Sequence, residues 1–281
     1  MLLVLLSALL AAPLGVAADA PAGTSVESAD GVSIRYEVVG EGSPPIVFVH
    51  GWSCDRSYWR EQVPHFAKSH RVVTIDLGGH GESGTGREEW TMTAFGADVK
   101  AVLEAADLRG AVLVGHSMGG PVILEAAKLA PGRVAALVPV DTLQSVDDPL
   151  SAEQIDAHAA ELRSDFSATT DRFVRGMFTP RSDPALVDRI AEDLSAAPPE
   201  VGISALVYTF RYDAAAALGA LDLPVRIINA DKWPTDLEAL RRHDPDVELA
   251  VMPAVGHFLM AEEPEEFNRW LERAVRELTG R

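Results

Sequence analysis

A serine between two glycines, Gly115-His-Ser117-Met-Gly119, is the stretch whose residue types most directly indicate chemistry. It follows an apolar run at 111–114 that is typical of a buried strand, and it precedes an Ala- and Leu-rich run that predicts a helix. A serine on so tight a strand-to-helix turn needs small residues two positions before and after it, because strand and helix approach closely there. The pattern predicts that Ser117 is a nucleophile at the carboxyl edge of a sheet.

A nucleophilic serine needs a general base, and eight histidines are available. His257 follows a predicted strand at the same sheet edge and comes late enough for the chain order serine, acid, histidine. The others lie in upstream turns, in helical or loop patterns, or at the opposite edge: His50, His65, His70, His80, His116, His158 and His243. We therefore predict that His257 takes the Ser117 proton and returns it to the leaving group.

Two backbone N–H groups are predicted to stabilise an oxyanion. One belongs to Met118, which follows the nucleophile, and the other to Trp52, in the loop after an early apolar strand at 46–49. One such donor contributes roughly 3–4 kcal/mol to the transition state. The side chains of Trp52, Met118 and Phe258, with those of Leu259 and Met260, are expected to line an apolar acyl pocket.

Alternating strand and helix patterns position these residues. They predict an α/β fold with a mostly parallel central sheet flanked by helices, made mixed by an opening hairpin around Asp30-Gly31. The alternation stops between residues 145 and 213, where only helical patterns occur, so we expect a helical lid inserted there. The core then comprises residues 21–144 and 214–281. Ligands bind at the carboxyl ends of the strands in such sheets.

Four motifs in this order resemble those of the α/β-hydrolase superfamily: His50-Gly-Trp52, Asp76-Leu-Gly-Gly-His-Gly-Glu-Ser83, Gly115-His-Ser-Met-Gly-Gly120 and Gly256-His-Phe258. The resemblance spans nearly the whole chain after residue 20. It implies the α/β-hydrolase fold and a lidded, esterase-like member with a serine nucleophile. In relatives the turn at 76–83 shapes the floor of the site, so we interpret it as structural.

The third member of the triad is ambiguous in the sequence. Many relatives carry the acid in a Gly-x-x-Asp loop after the strand that corresponds to residues 225–228, but here Trp233 stands at the acid's position. Asp231 lies two residues early, and Asp236 fits the start of a helix. Other relatives place the acid after the strand that follows the nucleophile's helix, where Asp141 lies. Asp141 is the first choice, Asp231 the alternative and Asp236 the third.

Serine at this position favours acyl transfer, whereas the dehalogenases and epoxide hydrolases of the superfamily use aspartate. We expect hydrolysis of a small-to-medium carboxylic ester through an acyl-enzyme, without a cofactor. Cofactor-free perhydrolase or haloperoxidase-type activity and carbon–carbon bond hydrolysis use the same triad and remain open. A non-catalytic ligand-binding protein of the same fold is a further alternative, supported by Trp233 in place of the acid.

Net charge and cysteine content limit the kinds of partner that this protein is expected to bind. The net charge of −18 disfavours nucleic acid and anionic membranes, so the expected partner is a small acyl substrate. No residue spacing suggests a metal site, and Cys54 is the single cysteine, which rules out an internal disulfide. Nothing in the sequence indicates an oligomeric state.

The first 20 residues resemble a signal peptide. An apolar run at 2–10 is followed by helix-breaking Pro13 and Gly15 and then by small residues, which fits cleavage after Ala18 or Ala20. We therefore expect a secreted or periplasmic protein of bacterial origin, without stable membrane insertion after cleavage.

Overall fold

The computed structural model describes residues 24–280. The predicted signal peptide lies outside the described residues, so the exported location stays a prediction. Within residues 24–280, no helix is long and apolar enough to cross a membrane.

Eight strands form one sheet, as the α/β pattern predicts. In spatial order they run β1-β2-β4-β3-β5-β6-β7-β8. The pairs β1–β2 and β2–β4 are antiparallel and every other neighbouring pair is parallel, so the predicted mixed sheet with an opening hairpin is confirmed. The strands are β1 (Thr24–Glu27), β2 (Ser33–Val39), β3 (Ile46–Val49), β4 (Val72–Ile75), β5 (Ala111–His116), β6 (Val134–Val140), β7 (Arg226–Ala230) and β8 (Glu248–Met252).

Helices cover both faces of the sheet, and for this reason every residue of β3, β4 and β5 is buried. A short 3₁₀ helix occupies Arg56–Trp59. The α-helices are α1 (Val63–Phe66), α2 (Met92–Ala105), α3 (Gly119–Leu129), α4 (Ala152–Ser164), α5 (Phe166–Arg175), α6 (Pro184–Ser195), α7 (Pro199–Phe210), α8 (Ala214–Gly219), α9 (Leu237–His243), α10 (Leu259–Glu262) and α11 (Pro264–Thr279).

The segment 56–66 forms the 3₁₀ helix and α1 in place of one continuous helix. Pro64 has no N–H to donate to the preceding turn, so a continuous helix would lose a hydrogen bond there. The Asp55 carboxylate accepts from Ser57 N at 2.7 Å and starts the 3₁₀ turn. The segment therefore bends between two short helices that pack Trp59 and Phe66 into the core.

Helices α4 to α7 lie between β6 and β7, in the segment 145–213 that the sequence predicts to be a lid. Helix α5 begins at Phe166, because the Asp165 carboxylate accepts from Ala168 N at 3.0 Å and caps the helix. Helix α7 reaches the loop after β3, where Trp52 Nε1 donates to Gly202 O at 2.6 Å. The division of the chain into a core and a lid unit stays a prediction.

Candidate active site

Ser117 lies on a strained turn between β5 and α3. Its φ is +53°, a left-handed conformation that costs a non-glycine residue about 1–3 kcal/mol. A Cβ on Gly115 would lie 2.2 Å from Gly119 O, and one on Gly119 would lie 2.7 Å from Val49 O. The close approach expected at the two glycines is therefore confirmed. Ser117 is partly exposed, and its hydroxyl has no hydrogen-bond partner among residues 24–280.

His257 and Asp141 form a buried pair beside this turn. His257 Nδ1 donates to Asp141 Oδ2 at 2.6 Å, and both side chains are almost fully buried. The other carboxylate oxygen, Oδ1, accepts from Ala230 N at 2.8 Å, which fixes the orientation of the carboxylate. With Nδ1 committed to Asp141, Nε2 of the neutral ring is left as the proton acceptor. This is the arrangement that a general base oriented by a carboxylate requires.

The two other candidate acids are not bonded to His257, and their carboxylates form other hydrogen bonds. Asp231 is exposed, and its Oδ1 accepts from Ala254 N at 2.8 Å. Asp236 caps the start of α9 by accepting from Ala239 N at 2.9 Å, as its predicted position at a helix start implies. Neither carboxylate is bonded to His257, so among the three candidates the structure pairs His257 with Asp141.

The N–H groups of Trp52 and Met118 are available for an oxyanion. Both residues are buried, and within the described residues neither backbone N–H donates to a protein acceptor. Gly51 brings the two loops together, since a Cβ there would lie 3.2 Å from Ser117 Cβ. Buried donors without an acceptor are costly, and this cost falls when a ligand oxygen supplies one.

His116, next to the serine, connects the turn to His257, a contact that the sequence analysis missed. Its Nε2 donates to the His257 carbonyl at 2.9 Å, and the two rings are 4.7 Å apart. Its Nδ1 is buried without a partner. Burial, with the nearby His257, lowers the pKa of His116 well below 6.5, so the ring is a neutral donor. No local sequence signal distinguishes this role.

The loop that carries His257 is also held by the segment between α5 and α6. His257 N donates to Met177 O at 3.1 Å. One oxygen of Glu262 accepts from both Gly256 N at 3.1 Å and Ser182 Oγ at 2.5 Å. The predicted base, His257, is therefore held by residues of the predicted lid as well as by the sheet.

Phe258, predicted to contact substrate, packs against other aromatic rings. It stacks on Phe178 at 5.3 Å between ring centroids and lies 6.1 Å from Tyr58. Phe258, Leu259 and Met260 are all fully buried. The Phe258 ring also lies 5.3 Å from the rings of His116 and His257. A contribution of Phe258, Leu259 and Met260 to an acyl pocket stays a prediction.

The turn at 76–83 is held by hydrogen bonds within it and by one from Arg56. The Asp76 carboxylate accepts from Arg56 N at 2.8 Å and Glu82 N at 2.9 Å, and Ser83 Oγ donates to Asp76 O at 2.6 Å. Gly81 has φ +51°, and a Cβ there would lie 2.4 Å from the Asp76 carboxylate. These contacts favour the interpretation of the turn as structural.

The described part of the chain shows neither a cluster of metal-binding side chains nor an accessible thiol. Residues 24–280 contain no group of three or more His, Cys, Asp or Glu side chains placed to hold a metal ion. Cys54 is free and buried, and burial raises the pKa of its thiol well above the ordinary value.

Comparison with known proteins agrees with this fold. A family model described as the alpha/beta hydrolase fold matches residues 44–264, and the chain belongs to that family. It is 29% identical over 263 residues to the dihydrolipoyllysine-residue acetyltransferase component of the acetoin cleaving system of Pseudomonas putida, covering 90% of this chain and 69% of the relative.

Two further relatives are enzymes of different activity. The chain is 39% identical over 125 residues to a non-heme chloroperoxidase of Streptomyces lividans, a match that covers 43% of this chain and 45% of the chloroperoxidase. A thermophilic esterase from Thermogutta terrifontis superposes with a TM-score of 0.80 at 26% identity, covering 91% of this chain and 98% of the esterase.

Proposed function

We propose that this protein is a serine hydrolase that cleaves a small-to-medium carboxylic ester through an acyl-enzyme. The observation that carries the proposal is the buried His257–Asp141 pair, 2.6 Å apart, beside a strained and partly exposed Ser117. The similarity to a solved esterase supports the same reaction class.

Acylation uses the serine and both loops. Ser117 Oγ attacks the ester carbonyl while His257 Nε2 takes the hydroxyl proton, and Asp141 stabilises the imidazolium that forms. The N–H groups of Trp52 and Met118 donate to the carbonyl oxygen as it becomes an oxyanion. The carbon–oxygen bond to the alcohol then breaks, and the alcohol leaves with the proton from His257.

Deacylation repeats these steps with water. His257 Nε2 takes a proton from a water molecule, whose oxygen attacks the acyl carbonyl in the same oxyanion site. Collapse of the second intermediate releases the carboxylic acid and returns the proton to Ser117 Oγ. Water is the co-reactant: its oxygen enters the carboxylic acid, and one of its protons passes through His257 to Ser117 Oγ.

A second candidate is perhydrolase or haloperoxidase-type chemistry, which the similarity to a non-heme chloroperoxidase favours. The same acyl-enzyme would then be attacked by hydrogen peroxide in place of water and would release a peracid. Carbon–carbon bond hydrolysis on the same triad has no specific observation in its favour. The non-catalytic alternative depends on a missing acid, and the Asp141 contact weakens that argument.

The test is labelling of the wild type by a fluorophosphonate probe, with p-nitrophenyl acetate and butyrate hydrolysis measured in parallel. Ser117→Ala should lose both labelling and turnover, whereas Ser167→Ala, which removes an exposed serine of α5, should retain both. Absence of labelling in folded wild type would overturn the proposal in favour of a binding protein. Peracid formation from acetate and peroxide, measured on the same preparations, identifies the second candidate.

A further inference from the structure

Exposed aromatic surface in this protein is concentrated at the candidate site. Four large apolar side chains are 38–43% exposed in the described residues, namely Val39, Phe173, Trp233 and Val251. Both aromatic members contact a residue of the site. The Phe173 ring lies 6.0 Å from that of Trp52, and the Trp233 ring lies 5.8 Å from that of His257.

The loop that carries Trp233 is held on both sides. Lys232 Nζ donates to Phe178 O at 3.1 Å and lies 5.2 Å from the centroid of the Trp233 ring. Asp231 N donates to Met252 O at 3.1 Å. Because these contacts hold the loop, less entropy is lost in ordering Trp233 when a ligand binds to it.

The Trp233 indole contacts His257, and the proton transfers of His257 decide which part of an ester lies near the indole. Because Nδ1 donates to Asp141, Nε2 is the nitrogen that gives the proton to the departing alcohol. The Trp233 ring stands nearly perpendicular to the His257 ring, at 68°. The alcohol takes its proton from the same imidazole that the indole contacts, so Trp233 is an exposed aromatic ring next to the base that releases the alcohol.

We propose that Trp233 forms an alcohol-side subsite that takes an aromatic alcohol portion of the ester. The inference rests on the proposed function and assigns a substrate class to the same site. A planar aryl group packs on the indole in offset-stacked or edge-to-face geometry, which a saturated ring of similar size cannot reproduce. This subsite selects the group that leaves, and it is separate from the acyl pocket predicted at Phe258.

The experiment compares ethyl, cyclohexylmethyl and benzyl acetates, which share one acetyl-enzyme. Trp233→Ala should lower kcat/KM for benzyl acetate by about tenfold and change ethyl acetate by no more than about twofold. Trp233→Phe should retain most of the benzyl preference, because it keeps an aromatic ring. Val251→Ala is the matched control, since it removes an equally exposed apolar side chain from β8.

Decay of the acetyl-enzyme, followed by rapid-quench mass spectrometry, should be unchanged in Trp233→Ala, because the alcohol has already left. Equal losses on all three esters, equal losses on the benzyl and cyclohexylmethyl esters, or altered acetyl-enzyme decay would each overturn the subsite. A wild type that labels at Ser117 and hydrolyses ethyl acetate keeps the proposed function in any of these cases. A wild type without labelling or turnover refutes the proposed function and the subsite together.

Discussion

Ser117 and Asp141 both have a left-handed backbone, with φ of +53° and +45°. Each residue stands directly after a parallel strand, where the chain must turn sharply while its side chain points across the sheet edge. Such conformations cost a non-glycine residue about 1–3 kcal/mol, and the surrounding hydrogen bonds must hold them. Ser117 N donates to Val140 O and Asp141 N to Ile228 O, both at 2.9 Å. The strain is thus located at two members of the proposed triad.

The pairing of His257 with Asp141 leads to a prediction at this scale. Asp141→Asn should lower kcat for ester hydrolysis by on the order of 10⁴-fold, because an amide no longer holds the productive tautomer of His257 or stabilises the imidazolium. Asp231→Asn is the matched comparison, since that side chain bonds to Ala254 N and not to the base. It should cost less than about tenfold. Comparable losses in the two variants would contradict the assignment of Asp141.

At the scale of elements, the site depends on how closely β5, α3 and the loop after β3 approach. Gly115 contacts the start of α3, and Gly119 contacts the end of β3. Gly120 has a similar role, because a Cβ there would lie 2.4 Å from Thr142 Cγ2. These contacts bring together Ser117, the loop after β3 and the end of β6, so the geometry of the candidate site is coupled to packing between the elements.

Gly115→Ala should therefore destabilise the whole molecule. The added Cβ meets backbone atoms of α3 that cannot move independently, and we expect a loss of about 3 kcal/mol in the free energy of unfolding. Gly86→Ala is the control, because its Cβ would meet no atom within 4 Å and its φ is ordinary. Chemical denaturation of both variants measures the difference. Equal stabilities would show that β5 and α3 tolerate a wider separation.

At the scale of the whole molecule, three histidines near the carboxyl ends of the strands are buried and neutral. Burial lowers the pKa of His50 to about 4 and that of His80 to about 3, and it lowers the pKa of His116 as well. His50 Nε2 accepts from Leu77 N at 3.0 Å, and this bond requires the neutral ring. The packing of the loops around the site therefore favours neutral imidazole rings.

These shifts predict acid sensitivity. Below pH 6.5 the histidines of the unfolded chain take up protons, whereas the buried histidines of the folded protein stay neutral. The free energy of unfolding therefore falls as the pH falls from 6.5 towards about 4. Each such histidine contributes a slope of up to about 1.4 kcal/mol per pH unit. In denaturant titrations between these limits, His80→Asn should remove the slope that corresponds to about one proton. A slope equal to that of the wild type would show that His80 is protonated in the folded state.

Several features of this protein were predicted from the sequence because they depend on neighbouring residues. The strand–helix alternation follows from local periodicity, and the glycines two positions from Ser117 indicate the tight turn directly. His257 could be selected by its place after a late strand. The hairpin, and with it the mixed sheet, was predicted in the same way, whereas the family was predicted from the resemblance of four motifs.

The partner of His257, in contrast, was decided by tertiary structure. Asp141 and Asp231 both follow strands at the same sheet edge, and local sequence does not distinguish them. The sheet order β6-β7-β8 and the left-handed turn at Asp141 place its carboxylate on His257, 116 residues away. The contacts of His116 and Trp233 with His257 are likewise long-range. Hydrophobic patterning determines which elements form, whereas side-chain pairing across the sheet edge depends on how all of them pack.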